Sequence, residues 1–291
     1  MISIQRILFL LAVVTFAIDA SAQADVERGR YLVIASGCAA CHTVEDGEEA
    51  DYLAGGRPLE TPFGTFFAPN ITPDPETGIG GWSDASFIRA FREGVAPDGS
   101  HYYPAFPYPS YTGVTDEDLL AMKAYLFSLP AVHRENRKHD LAWYASFRFP
   151  LSLWKWFYLE PGPFAPQEDR DDEWNRGAYL VRHLGHCGEC HTPRGFLGAQ
   201  DLSRELAGNP AGPDGDSVPN ITPHDESGIG GWSDTDLLDL LEIGMYPDGD
   251  FVGGSMVEVV DMNTARLDAS DRRAMVRYLR SVPPLSSATT D

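Results

Sequence analysis

The chain has 291 residues, 43 of them acidic against 22 lysines and arginines, giving a formal net charge of −21. A surface this negative argues against nucleic acid and anionic lipid as partners, since both carry charge of the same sign. No stretch beyond residue 18 carries the roughly 20 apolar residues that a bilayer span requires, so no transmembrane segment is expected.

In chain order, residues 1–22 read as a secretory signal peptide. Arg6 precedes an apolar run from Ile7 to Ile18, and Ala20, Ser21 and Ala22 form an A-x-A cleavage site that leaves Gln23 as the first mature residue. The run is too short for a membrane anchor, and Asp19 interrupts it. An exported protein is expected, periplasmic if the cell is Gram-negative. Its net charge is the same after cleavage, because Arg6 and Asp19 cancel.

A helix is predicted from Asp25 to about Ala35, running into "SGCAACHTV" at 36–44. Ser83 is placed as the N-cap of a short helix that stops near Gly94. Thr115, with Asp118 three residues on, resembles a capping box and opens a helix that ends before Pro130. The second half repeats the plan: Glu173 to about Leu184 leads into "GHCGECHTP" at 185–193, Ser233 caps a helix that stops near Gly244, and Asp268 with Asp271 opens the last helix before Pro283. Gly- and Pro-rich loops join these elements with no sustained period-two pattern, so the predicted fold class is all-α.

The repeat is explicit in the letters. "PNITPDPETGIGGWSD" at 69–84 returns as "PNITPHDESGIGGWSD" at 219–234, and "PDG" at 97–99 returns at 247–249, both 150 positions later. This is a tandem duplication of a unit of about 110 residues, a common size for a single domain. The expected organisation is a first domain over 23–132, a connector over 133–172 and a second domain over 173–291. The connector holds Trp143, Trp154, Trp156, Phe157 and Tyr158 and is expected to pack in the groove between the domains. Contact with lipid through these aromatics, flanked by Arg148 and Lys155, is the alternative. The acidic runs at 45–51 and 168–173 read either as solvated faces or as docking charges.

All four cysteines lie in the two C-x-x-C-H motifs. In an exported protein, disulfides, a thioredoxin-type pair and a four-cysteine zinc site all compete for them. None of the three gives His42 and His191 a role. Covalent haem attachment does: two thiols at this spacing add to the two vinyl groups of one porphyrin edge, and the next residue lies under the iron as its proximal imidazole. Cys38, Cys41 and His42 are assigned to haem 1, and Cys187, Cys190 and His191 to haem 2. An apolar haem would complete cores that are small for such domains. Asn70 and Asn220, with the indole N–H groups of Trp82 and Trp232, are candidate donors to haem propionates; turn formation and space filling account for them equally well.

These motifs, together with "YPAFPY" at 103–108 and the closing "DLLAMKAYL" and "DRRAMVRYL", resemble the tandem dihaem cytochromes c of class I type. The resemblance is strongest to the cytochrome subunits of periplasmic alcohol, sugar and sugar-acid dehydrogenases. It implies two covalently attached haem c groups and a close crossing of first and last helices, Gly29 against Tyr125 and Gly177 against Tyr278. Methionine opposite the proximal histidine is the usual sixth ligand, and Met256, in a Gly-rich loop, takes that role for haem 2. Met122 and Met275 occupy matched helical positions and are read as core.

The corresponding residue of the first half is Phe106, where the family has methionine. Phenylalanine has no lone pair, so haem 1 is left with an empty or water-filled position, another protein ligand, or a more distant methionine. His101 is the nearest substitute, unless it is simply an exposed loop histidine. The resemblance implies an electron carrier that is reduced by a periplasmic dehydrogenase and oxidised by a cytochrome or terminal oxidase, its acidic surface steering it towards a basic redox protein. The competing expectation is a haem enzyme acting on peroxide or a small sulfur or nitrogen species at an open haem 1.

Overall fold

The computed structural model describes residues 23, 25–44, 51–212 and 215–287. The signal-peptide segment and most of the first acidic run lie outside them. The first half contains α1 (residues 25–35), α2 (Cys38–His42), α3 (Asp84–Glu93), α4 (Tyr108–Tyr111) and α5 (Asp116–Ser128). The connector carries α6 (Pro150–Tyr158). The second half contains α7 (Asp172–Tyr179), α8 (Gly188–His191), α9 (Asp234–Ile243), α10 (Ser255–Met262) and α11 (Ala269–Leu279). Among the described residues no helix is long and apolar enough to cross a membrane.

In each half the first helix crosses the last at a glycine. A Cβ on Gly29 would collide with the Ala121 carbonyl and lie 2.9 Å from Tyr125 Cβ; one on Gly177 would meet the Ala274 carbonyl and Tyr278 Cβ in the same way. The helices approach closely because neither glycine has a side chain to hold them apart. Ser83 caps α3 by accepting from Ser86 N at 3.1 Å, and Ser233 forms a reciprocal box with Asp236 on α9. Both helices close on left-handed glycines, Gly94 and Gly244, as expected.

The two expected boxes on the last helices are incomplete. Thr115 does accept from Asp118 N, but Asp268 makes no side-chain cap bond. The carboxylates of Asp118 and Asp271 turn instead to an arginine of their own half and a tyrosine of the other. Arg28 Nε reaches Asp118 at 2.8 Å and Arg176 Nε reaches Asp271 at 2.9 Å. Tyr31 donates to Asp271, and Tyr179 to Asp118, each at 2.7 Å. Burial pushes the Asp271 carboxyl up, but the Arg176 guanidinium and the Tyr31 hydroxyl outweigh it and hold the group below the ordinary carboxylate value.

Three further expectations require correction. The fold is not purely helical: β1 (Pro58–Thr61), β2 (Gly64–Phe67) and β3 (Asp140–Leu141) form an antiparallel sheet in that order. Strands of four, four and two residues are too short to display an alternating pattern, and β3 comes from the connector. Nor do most connector aromatics enter a groove. Trp143, Phe147, Phe149, Trp156 and Phe157 are exposed, while Leu151, Trp154 and Lys155 of α6 turn inward. Finally, the helix expected to run to Leu184 widens after α7 into a π-helical turn, Leu180–Leu184, just before the second motif.

Candidate functional site: two haem attachment motifs

Each C-x-x-C-H motif sits on a single short helical turn. Gly37, in the left-handed region, leads into α2, so Cys38 and Cys41 project one turn apart with His42 at the helix end; Cys187, the N-cap of α8, and Cys190 and His191 within it repeat this. None of the four cysteines forms a disulfide. In the haem-free chain, burial pushes the Cys38 and Cys187 thiols up to about 12, aided by the neighbouring cysteine.

The imidazoles are fixed in the same way in both motifs. His42 Nδ1 donates to the Pro69 carbonyl at 2.7 Å and His191 Nδ1 to the Pro219 carbonyl at 2.7 Å. A carbonyl accepts only from N–H, so this contact selects the tautomer whose Nε2 keeps its lone pair for a metal. Burial lowers the pKa of both rings and keeps them neutral. The surroundings are duplicated as well. Gly55 N donates to His42 O and Gly208 N to His191 O, at 2.7 and 2.8 Å. Thr43 and Thr192 accept from the amides of Leu53 and Leu206, two buried leucines held at φ of 60° and 64°. The carbonyls of Pro69 and Pro219 were not among the expected site residues. Their signal was present in the repeated "PNITP" and "CHT", which keep nearly constant spacing from each other.

Other predicted residues fall differently. Asn70 spends both amide N–H groups on Thr77 and the Val132 carbonyl, and Asn220 on Ser227 and the Leu285 carbonyl, so each amide ties down its own loop. Trp82 and Trp232 are half-buried and pack edge-on against Phe87 and Tyr246. Met256 lies not in a loop but in the first turn of α10, with Ser255 between it and the N-cap Gly254. Phe106 sits in a cluster of rings, 5.2 Å from Phe91, 5.6 Å from Tyr102 and 5.7 Å from Tyr111. His101 is engaged from the connector: Lys155 donates to its Nδ1 at 3.0 Å, and burial together with the Lys155 charge lowers its pKa.

The two motifs are neighbours. The Tyr111 hydroxyl and His186 Nε2 both reach the Ser36 carbonyl, at 2.8 and 3.4 Å, which joins the residues just ahead of Cys38 and Cys187. Arg57 binds the Ala40 carbonyl inside the first motif at 2.6 Å and Glu258 of α10 at 2.7 Å. Ser110 of α4 donates to Glu189 of α8 at 2.7 Å.

Paired thiols one turn apart beside an imidazole with a single free lone pair fit covalent haem, and this arrangement defines a c-type haem protein. Residues 26–130 match the family model described as cytochrome c. A dihaem c-type cytochrome of Cereibacter sphaeroides is 45% identical over 90% of this chain and 87% of its own length. The fructose dehydrogenase cytochrome subunit of Gluconobacter japonicus is 42% identical over 89% of the chain, and the gluconate 2-dehydrogenase cytochrome c subunit of Pantoea cypripedii is 39% identical over 97%. The match spans only 53% and 65% of the length of those two subunits. The chain belongs to the cytochrome c family, carries two covalently bound haem c groups, and is an electron-transfer protein rather than an enzyme.

Proposed function

We propose that this chain is a periplasmic cytochrome that takes electrons from a dehydrogenase and delivers them to another cytochrome or a terminal oxidase. It is read as two tandem cytochrome c domains, 23–132 and 173–291, joined by the connector at 133–172 and exported by the segment at 1–22. Cys38 and Cys41 hold one haem, with His42 as its proximal ligand. Cys187 and Cys190 hold the other, with His191 proximal and Met256 as sixth ligand. Each haem supplies a one-electron iron couple. The protein orients the imidazoles, excludes water and sets the two attachment motifs side by side.

The observation that carries this reading is the duplicated bond from His42 to Pro69 and from His191 to Pro219, each at 2.7 Å. It prepares two equivalent ligands for iron. Support for the donor comes from the relatives that are named as cytochrome subunits of fructose and gluconate dehydrogenases. The charge of −21 supports steering towards a basic face on the electron acceptor, which weakens with salt. Mixing the oxidised holoprotein with the host's dehydrogenases and their substrates in a stopped-flow spectrometer tests the proposal. Reduction of both haems is expected; failure of every host dehydrogenase to reduce either haem would overturn it.

A further inference from the structure

Among the described residues, α6 and the loop after the second motif present a large exposed apolar surface. Trp156 and Phe157 on α6 are 75% and 63% exposed, and Phe196, in the loop after the second motif, is 97% exposed. Tyr158 and Leu197 join the two elements across a groove of about 590 Å³. Trp154 Nε1 fixes the junction by donating to the Leu197 carbonyl at 3.0 Å. Exposed aromatic side chains of this number present roughly 700 Å². That exceeds the usual largest patch of a monomer and approaches one side of a standard protein interface.

Charge narrows the choice of occupant. Residues 141–159 contain no acidic side chain, in a chain that has 43. The two cations of this stretch point inward: Lys155 donates to the carbonyls of Glu93 and Gly94 at 2.7 and 2.6 Å, and Arg148 to that of His101 at 2.8 Å. Binding to an anionic leaflet requires outward-facing cations beside the aromatics, and here none is available from α6. A second copy would bring another −21 charges to the contact. A mainly aromatic face, whose groove carries as charged groups only Asp201 and an Arg194 already paired with Glu189, suits instead a permanently held protein subunit, because lasting interfaces are more apolar than those of transient encounters.

The face also connects to Phe106 and to the loop that follows the second motif. Trp154 stacks edge-on to Tyr108 at 6.4 Å, and Tyr108 lies 6.4 Å from Phe106. Phe196 follows His191 by five residues. We propose that the aromatic face formed by α6 and the loop at 195–199 is where the dehydrogenase subunit that reduces this cytochrome is held. This rests on the electron-carrier reading and assigns it a surface.

The experiment combines a cross-link with kinetics, in the native host. A photoreactive p-benzoylphenylalanine at position 196 should yield an adduct with a dehydrogenase subunit, identified by mass spectrometry. The triple variant Trp156→Ser, Phe157→Ser, Phe196→Ser should slow substrate-driven haem reduction in host extracts about tenfold or more, as loss of interface anchors does. Its haem spectrum and its reduction by dithionite should not change. An adduct with a second copy or with any other protein overturns the proposal. So does binding of the wild type to phosphatidylcholine–phosphatidylglycerol vesicles that the triple variant loses, or wild-type reduction kinetics in the variant. If the wild type itself is reduced by no host dehydrogenase, the electron-carrier reading fails first; if the wild type is reduced and the variant matches it, only the docking surface fails.

Discussion

Tyr31, in the first helix, donates its hydroxyl to Asp271 across a separation of 240 positions, and Tyr179 returns the contact to Asp118, both at 2.7 Å. Each tyrosine oxygen also accepts from the far backbone, Tyr31 from Asp268 N and Tyr179 from Thr115 N, both at 3.1 Å. The halves are therefore clamped by two matching hydrogen-bonded corners. Tyr31→Phe or Tyr179→Phe should each cost about 2 kcal/mol, the value of a hydrogen bond to a charged group. Guanidinium unfolding of the holoprotein, followed by tryptophan fluorescence, would measure it. A loss below a few tenths of a kcal/mol would show that the corners do not hold the halves together.

The helix crossings tolerate no added atom. Gly29→Ala and Gly177→Ala each drive a methyl group into a backbone carbonyl that cannot retreat without shifting its helix. Each should destabilise its half by about 3 kcal/mol and reduce the yield of haem-loaded protein. Gly99→Ala is the control, because a Cβ there has open space and suffers only its left-handed φ. The ratio of haem absorbance to protein in purified variants reads the outcome.

His183 links stability to pH. Its ring is enclosed by Phe164 and Tyr179 and its Nδ1 donates to the Ser110 carbonyl at 2.9 Å. Burial lowers its pKa to about 4, more than the Ser110 bond restores. The unfolded chain has an ordinary histidine, near ~6.5. Above that pH neither state takes the proton, and the contribution of His183 is present in full. As pH falls from ~6.5 to about 4, the unfolded state is protonated first and stability is lost, on the order of 2 kcal/mol. Unfolding midpoints at pH 7 and pH 4.5 should therefore differ less in His183→Gln than in the wild type. An identical difference would remove His183 from the account.

The chemical inequality of the two halves can be tested by spectroscopy. Phe106 offers no ligand atom, and its ring is packed among Phe91, Tyr102 and Tyr111. On reduction, one of the two haems is expected to bind carbon monoxide. Phe106→Met should abolish that binding and raise the lower of the two reduction potentials, because methionine favours the reduced iron. Met256→Leu should have the opposite effect and make both haems reactive. Absence of carbon monoxide binding in the wild type would mean that another side chain has taken the position opposite His42.

What could be read from the letters was short-range. The C-x-x-C-H turns, the Ser83 and Ser233 caps, the left-handed Gly94 and Gly244 and the duplication all depend on spacings of three or four residues or on direct repetition, and such signals survive in any tertiary context. The glycine crossings were reached through family resemblance, since nothing within α1 itself says which helix will lie against Gly29.

Tertiary structure decided every case in which one group had several possible partners. Asp118 and Asp271 carry the local signature of a capping box, yet a charge-assisted pair with arginine and a tyrosine from the other half is stronger than a second bond to their own helix. The sheet depends on Asp140 pairing with Thr65, a register set by the connector's path rather than by alternation within four residues. The connector's aromatic composition was plain in the sequence, but which rings face outward was not. That was decided by Lys155 and Trp154, whose polar atoms found carbonyls on the two halves and so turned the opposite side of α6, with Trp156 and Phe157, towards solvent.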